Sequence, residues 1–99
     1  MRIISVRRLR EFWELADRGD AENPLKAWLA EAEHATWRTP AEIKAKYGTA
    51  SILKNSRVVF NIAGNKYRLV VKFHYNTGIG YVRFIGTHAE YDEIDAERV

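Results

Sequence analysis

One stretch leaves this chain few ways to fold. Asn65 to Asp95 reads NKYRLVVKFHYNTGIGYVRFIGTHAEYDEID. Two runs rich in Val, Ile, Phe and Tyr, Tyr67–Tyr75 and Ile79–Gly86, flank a turn at Asn76-Thr77-Gly78. Such runs suit a pleated, half-buried surface. Thr87-His88-Ala89-Glu90 follows at once and has the form of a capping box, Thr followed three residues later by Glu. The pattern predicts strand, turn, strand and short helix. His88 then falls in the first turn of that helix, with Tyr91 three residues on and next to it on the helix surface.

A third strand, Arg57–Ile62, precedes the hairpin. If Ala63–Lys66 is a four-residue loop, Ile62 faces Tyr67, Phe60 faces Leu69 and Val58 faces Val71, and these make one apolar face. At the second turn a three-residue loop would set Arg83 against Val71 and drive it into the core. A loop of two or four residues instead pairs Phe73 with Val82 and Val71 with Phe84. A one-residue slip exchanges the faces of a strand, so burial selects the even loop. The other face then shows Arg57, Asn61, Arg68, Lys72, His74 and Arg83, with Val59, Val70, Tyr81 and Ile85 between them and no acid.

Helices must cover the apolar face. Met1–Ser5 reads as an edge strand, and Ser5 is placed to cap a helix from Val6 to about Arg18, stopped by Gly19. Leu9, Trp13 and Ala16 form its buried stripe, with Phe12 alongside. Asn23-Pro24 reads as a cap with proline at the first position of a second helix that runs to about Trp37 and buries Leu25, Trp28, Leu29 and Ala32. Thr39-Pro40-Ala41-Glu42 is a second capping box and starts a third helix ending near Gly48. Gly48–Ser56 reads as a polar loop. The expectation is a single α+β domain, residues 1–99: N-terminal helices packed on a small, mainly antiparallel sheet, with a short C-terminal helix.

The 99 residues include no cysteine, which excludes disulfides, thiolate catalysis and Cys-type zinc sites. No apolar run reaches membrane-span length, and MRIISVRRLREFW has no signal-peptide core, so a cytoplasmic location is expected. The net charge is only +3, but it is unevenly spread. From Arg38 to Arg83 the basic residues are Arg38, Lys44, Lys46, Lys54, Arg57, Lys66, Arg68, Lys72 and Arg83, and the one acid is Glu42. A segregated positive field of this kind is the footprint of a polyanion.

Metal-free RNA cleavage needs a base for the 2′-hydroxyl proton, cations for the phosphate and an acid for the leaving 5′ oxygen. His88 carries an imidazole, the commonest general acid or base, and sits beside the basic face by sequence. Tyr91 can share proton transfer or stack on a base. His74 lies on the basic face near the turn. His88 and Asp92 have metal-ligand spacing but no third ligand near them in sequence, so neither a metal nor a cofactor is expected. The same face would also serve a non-catalytic RNA- or ribosome-binding module. No helix shows the exposed basic pattern of a DNA reader.

Val59-Phe60-Asn61-Ile62, Gly64-Asn65-Lys66-Tyr67-Arg68-Leu69 and Tyr81 through Asp92 resemble the HigB-type toxins, a branch of the RelE superfamily of bacterial toxin–antitoxin ribonucleases. The resemblance spans most of the chain in element order and is most specific in Gly64–Leu69 and Gly86–Asp92. It implies a messenger-RNA-cleaving toxin that works on ribosomes and is neutralised by a helix-turn-helix antitoxin. It also implies phosphate roles for Arg68 and Arg83 and catalytic roles for His88 and Tyr91. RelE-like toxins use a lysine, an arginine and a C-terminal tyrosine, with no histidine in this motif. The division of labour between His88 and Tyr91 is therefore open, as is the choice of Lys54 or Lys72 as a catalytic lysine. Arg57, Lys54, Lys72, Lys66 and His74 complete the expected RNA-binding set.

Overall fold

The expected hairpin forms the middle of a five-stranded open sheet. A computed structural model describes residues 1–99. In chain order the elements are β1 (Arg2–Ile4), α1 (Val6–Trp13), a 3-10 turn (Gly19–Ala21), α2 (Glu22–His34), α3 (Pro40–Lys46), β2 (Ser51–Ile52), β3 (Arg57–Ile62), β4 (Tyr67–His74), β5 (Ile79–Thr87) and α4 (His88–Asp92). The strand order is β1-β5-β4-β3-β2, with β1 parallel to β5 and every other pair antiparallel. This is the α+β architecture the apolar patterns imply.

The β3–β4 register is the expected one: Ile62 faces Tyr67, Phe60 faces Leu69 and Val58 faces Val71. The β4–β5 loop is even, since His74 pairs with Ile79, but the register differs from expectation by two residues. Phe73 faces Gly80 and Val71 faces Val82. A Cβ on Gly80 would lie 2.9 Å from the Phe73 ring, so only glycine fits beneath it. The ladder then slips at Val70/Val71, and Arg83 becomes the unpaired residue of a β-bulge, with Phe84 opposite Val70 and Ile85 opposite Leu69. The extra residue exchanges the faces of everything after it. Ile85 packs on the main core and Phe84 on the opposite face, the reverse of the placement that an unbroken strand would give.

The helices are shorter than their patterns suggest. α1 ends at Trp13, and the chain turns through Asp17, which has φ 65°, instead of continuing to Arg18. Leu9 and Phe12 are its buried residues, Trp13 is half-buried and Ala16 is exposed. Phe12 wins the core position because its ring meets the edge of Tyr67, with centroids 5.2 Å apart. Ser5 precedes α1 at φ 70° and makes no side-chain cap bond. α2 starts at Glu22, so Pro24 lies in the first turn, where a missing N–H costs nothing. It ends at His34, and Trp37 folds back against Tyr47 and Phe73. The Thr39/Glu42 capping box opens α3 as expected. The stretch read as a polar loop, Gly48–Ser56, contains β2, whose two residues are too few to show alternation.

The main core packs Leu9, Phe12, Leu25, Trp28 and Ile43 on Phe60, Leu69, Val71, Phe73 and Val82. Fully burying one such side chain contributes about 1.5–3 kcal/mol. A smaller cluster on the other side of the sheet joins Val59, Val70 and Ala96, with Phe84, Tyr91, Ile94 and Val99 against them. The face expected to be open is therefore partly roofed by α4 and by the segment that follows it.

Candidate RNA-facing site

Arg68 on β4 lies directly opposite Gly86 on β5. A Cβ on Gly86 would come within 2.6 Å of the Phe84 ring and 2.9 Å of Glu90 Oε1. Its absence lets α4 fold down over the strand end. The Thr87 capping box is complete: the Thr87 N–H donates to Glu90 Oε1 at 2.8 Å and the Glu90 N–H donates to Thr87 Oγ1 at 3.2 Å. Arg18, from the turn after α1, donates to both Glu90 carboxylate oxygens, with Nη1 at 3.1 Å from Oε1 and Nη2 at 3.2 Å from Oε2. The Thr87 N–H, aided by Arg18, holds the Glu90 carboxyl below the usual carboxylate range.

So braced, α4 directs two side chains at Arg68. Arg68 Nε donates to His88 Nε2 at 3.1 Å, and its guanidinium lies 5.2 Å from the centroid of the Tyr91 ring. Tyr91 leans in turn on Phe84, centroid to centroid 6.3 Å. Because Nε2 accepts, the lone pair of the imidazole stands at that nitrogen and its proton at Nδ1. The guanidinium is thus aligned by an acceptor at Nε and an aromatic face beneath, while its two terminal amino groups remain for an anion.

The other expected residues divide into groups. Lys72 and His74 follow Arg68 along the same face of β4, with Lys72 roughly 13 Å away at the usual rise per residue. They line a depression of about 490 Å³ with Ser56 and Asn76, and the His74 ring meets the edge of Tyr81 at 5.2 Å. Arg57 is buried and Arg83 is exposed; both donate to the main-chain oxygen of Val99. Arg68, twenty residues from His88 in sequence, is the arginine that hydrogen-bonds it, while Arg83 donates to Val99 O. Lys54 is exposed, and its backbone N–H lies 3.4 Å from Glu97 Oε2. Lys66 sits at the far end of β4, where its ammonium pairs with Asp20; that contact lowers the Asp20 pKa and raises that of Lys66.

The face is not free of acid, as the strand alternation alone suggested: Glu97 reaches its edge from the segment after α4. Even so, no ion pair of the chain involves Arg57, Arg68, Lys72 or Arg83. No three His, Asp or Glu side chains converge in a way that could hold a metal ion. Arg18 and Gly86 are the residues that sequence reasoning passed over. Arg18 is 72 residues from its partner and carries no local signal, whereas Gly86, just before a capping box, is a legible mark of close approach.

A family model described as HigB_toxin, the RelE-like toxic component of a toxin–antitoxin system, matches residues 21–94. That span contains every expected site residue. No curated protein matches the chain.

Proposed function

The chain belongs to the HigB_toxin family, the RelE-like toxic component of a toxin–antitoxin system, and from that premise we propose that it is an endoribonuclease that cleaves messenger RNA, working on ribosomes. A toxin of such a system has an antitoxin as its partner, and we propose a helix-turn-helix protein in that role. No helix is long and apolar enough to cross a membrane. Cleavage of translated RNA would put the protein in the cytoplasm.

The observation that carries the proposal is the contact of Arg68 with both His88 and Tyr91. A scissile phosphate held by the Arg68 terminal amino groups would lie against both. As the phosphate draws the guanidinium onto its own oxygens, the Arg68 Nε–H leaves His88 Nε2, and the lone pair freed there takes the proton of the 2′-hydroxyl. The 2′ oxygen then bonds to phosphorus and the bond to the 5′ oxygen breaks. Arg68 stabilises the charge on the five-coordinate phosphorus, and the Tyr91 hydroxyl supplies the proton to the leaving oxygen. The products are a 2′,3′-cyclic phosphate and a 5′-hydroxyl, with no metal ion taking part. Lys72 and His74 continue the cationic track for the neighbouring nucleotides.

One observation favours a non-catalytic RNA-binding module instead. No concave part of the surface is lined by Arg68, His88 or Tyr91, so the trio stands on an open face. Induced expression of the wild type and of His88→Ala, with mapping of RNA 5′ ends, separates the two. New ends in the wild type alone support cleavage; identical end maps would leave only binding. Fragments with 5′-phosphates, or activity abolished by a chelator, would overturn the metal-free route.

A further inference from the structure

The β4–β5 turn is tied by its threonine and not by its asparagine. The N–H groups of Thr77 and Gly78 donate to His74 O at 3.3 and 2.9 Å, and Thr77 Oγ1 donates to the same oxygen at 3.3 Å. An asparagine in a turn ordinarily spends its side chain on nearby backbone. The Asn76 amide instead makes no hydrogen bond within the chain. It lines the depression of about 490 Å³ together with Lys72, His74 and Ser56. Lys72 is half-buried and forms no ion pair. The exposed His74 ring is held against Tyr81 with 69° between the two planes. Ser56 follows Asn55 in the left-handed region, with φ 62° after 61°, and its carbonyl oxygen accepts the Phe73 N–H at 2.8 Å. Residues other than glycine seldom take that conformation. It persists where the surroundings impose it, as they do at ligand clamps.

We propose that this depression is a nucleotide subsite for the RNA strand and that Asn76 reads the base seated in it. This rests on the reading of the protein as one that acts on RNA. The three groups answer to the parts of a nucleotide. The Lys72 ammonium takes the phosphate, and the His74 ring stacks on the base. The Asn76 carboxamide sets a donor beside an acceptor at the base edge. A free phosphate or an acidic peptide would engage the lysine and leave both the ring and the amide without a role.

Lys72 is four residues along β4 from Arg68, roughly 13 Å at the usual rise. The subsite is therefore separate from the phosphate at which the chain is cut. Asn76 selects which sequence is presented, at a fixed distance from the scissile bond, and does not touch the reacting atoms.

The experiment follows the Asn76 side-chain amide, the His74 ring and Arg68 Nε in the intact chain by nuclear magnetic resonance. The probes are the 5′-monophosphates of adenosine, guanosine, cytidine and uridine, inorganic phosphate, and a short all-2′-deoxy oligonucleotide, which has no 2′-hydroxyl to attack. The expected result is that the nucleotides move the Asn76 and His74 signals to an extent that differs with the base, while inorganic phosphate leaves the Asn76 amide in place. Asn76→Ala should narrow the differences among the four nucleotides. In maps of RNA 5′ ends it should relax the base preference at one position a fixed distance from the cut. His74→Ala should weaken nucleotide binding about tenfold or more, as loss of a stacking partner does. If the oligonucleotide moves Arg68 Nε and no probe moves the Asn76 amide, the subsite is overturned and the RNA reading stands. Equal responses to all four bases would overturn base reading by Asn76. If neither Arg68 nor Asn76 responds to the oligonucleotide, both readings fall.

Discussion

Arg18 and Glu90 are joined two oxygens to two nitrogens, at 3.1 and 3.2 Å, across 72 residues of sequence. Glu90 also closes the capping box of the helix that carries His88 and Tyr91. One carboxylate therefore ties the turn after α1 to the orientation of the proposed catalytic pair.

That tie has a pH signature. A carboxyl whose pKa is lowered on folding stabilises the fold above the ordinary carboxylate range, and the contribution is lost as pH falls through the lowered value. Asp20, held low chiefly by the Lys66 ammonium and then the Tyr67 hydroxyl, acts in the same direction. Urea midpoints at neutral and acid pH should show wild type losing more stability in acid than a Glu90→Gln, Asp20→Asn variant. Equal losses would mean that neither carboxylate is linked to folding.

Gly86→Ala should cost about 1–3 kcal/mol, the usual range for overpacking, because its methyl group would meet the Phe84 ring and the Glu90 carboxylate. Denaturation gives the cost. The His88 ring resonances should move as well, since α4 must lift away from β5. An unchanged midpoint would show that Phe84 and Glu90 yield freely.

Arg68→Lys keeps the charge and removes both the fork and the Nε–H that meets His88. It should fold normally, as judged by its circular dichroism melt, and lose roughly 1.5–3 kcal/mol of RNA binding or transition-state stabilisation, the range for hydrogen bonds to charged groups. A fully active lysine variant would reduce Arg68 to a point charge.

His88→Ala should slow cleavage about 10²–10⁴-fold, as removal of an acid–base group does, with a much smaller loss of affinity. Tyr91→Phe keeps the ring beneath Arg68 and removes only the hydroxyl. If its rate matches wild type, Tyr91 supports Arg68 and does not donate the proton.

RNA binding should weaken steeply with salt, since each neutralised phosphate releases counterions. Arg57→Gln and Arg83→Gln should each flatten the slope of the logarithmic plot. A response that is flat in wild type would remove phosphate contact from the basic face altogether.

Local chemistry was legible and long-range closure was not. The two capping boxes and the β3–β4 register follow from residue type and alternation, and so did the neighbourhood of His88 and Tyr91 on one helix. Arg68 was legible as a cation on a sheet face, but its bond to His88 depends on α4 folding back over Gly86. α1 carried an apolar pattern longer than its helix, because Ala16, left exposed, counts toward periodicity without finding a core. The roof over the outer face was illegible for another reason. Ile94, Ala96 and Val99 are too few and too scattered to announce an element, yet they cover Val59 and Val70.

The bulge at Arg83 divides β5 into two stretches of opposite parity. Before it, even-numbered side chains point into the helical layer; after it, odd-numbered ones do. Substituting Arg83 therefore probes only its charge. Deleting it would remove the bulge and leave a regular ladder, with Val82 still opposite Val71, Phe84 still outward opposite Val70 and Ile85 still inward opposite Leu69. The bulge is thus what lets one strand keep Val82 and Ile85 on the same core while setting Arg83 and Phe84 side by side on the outer face.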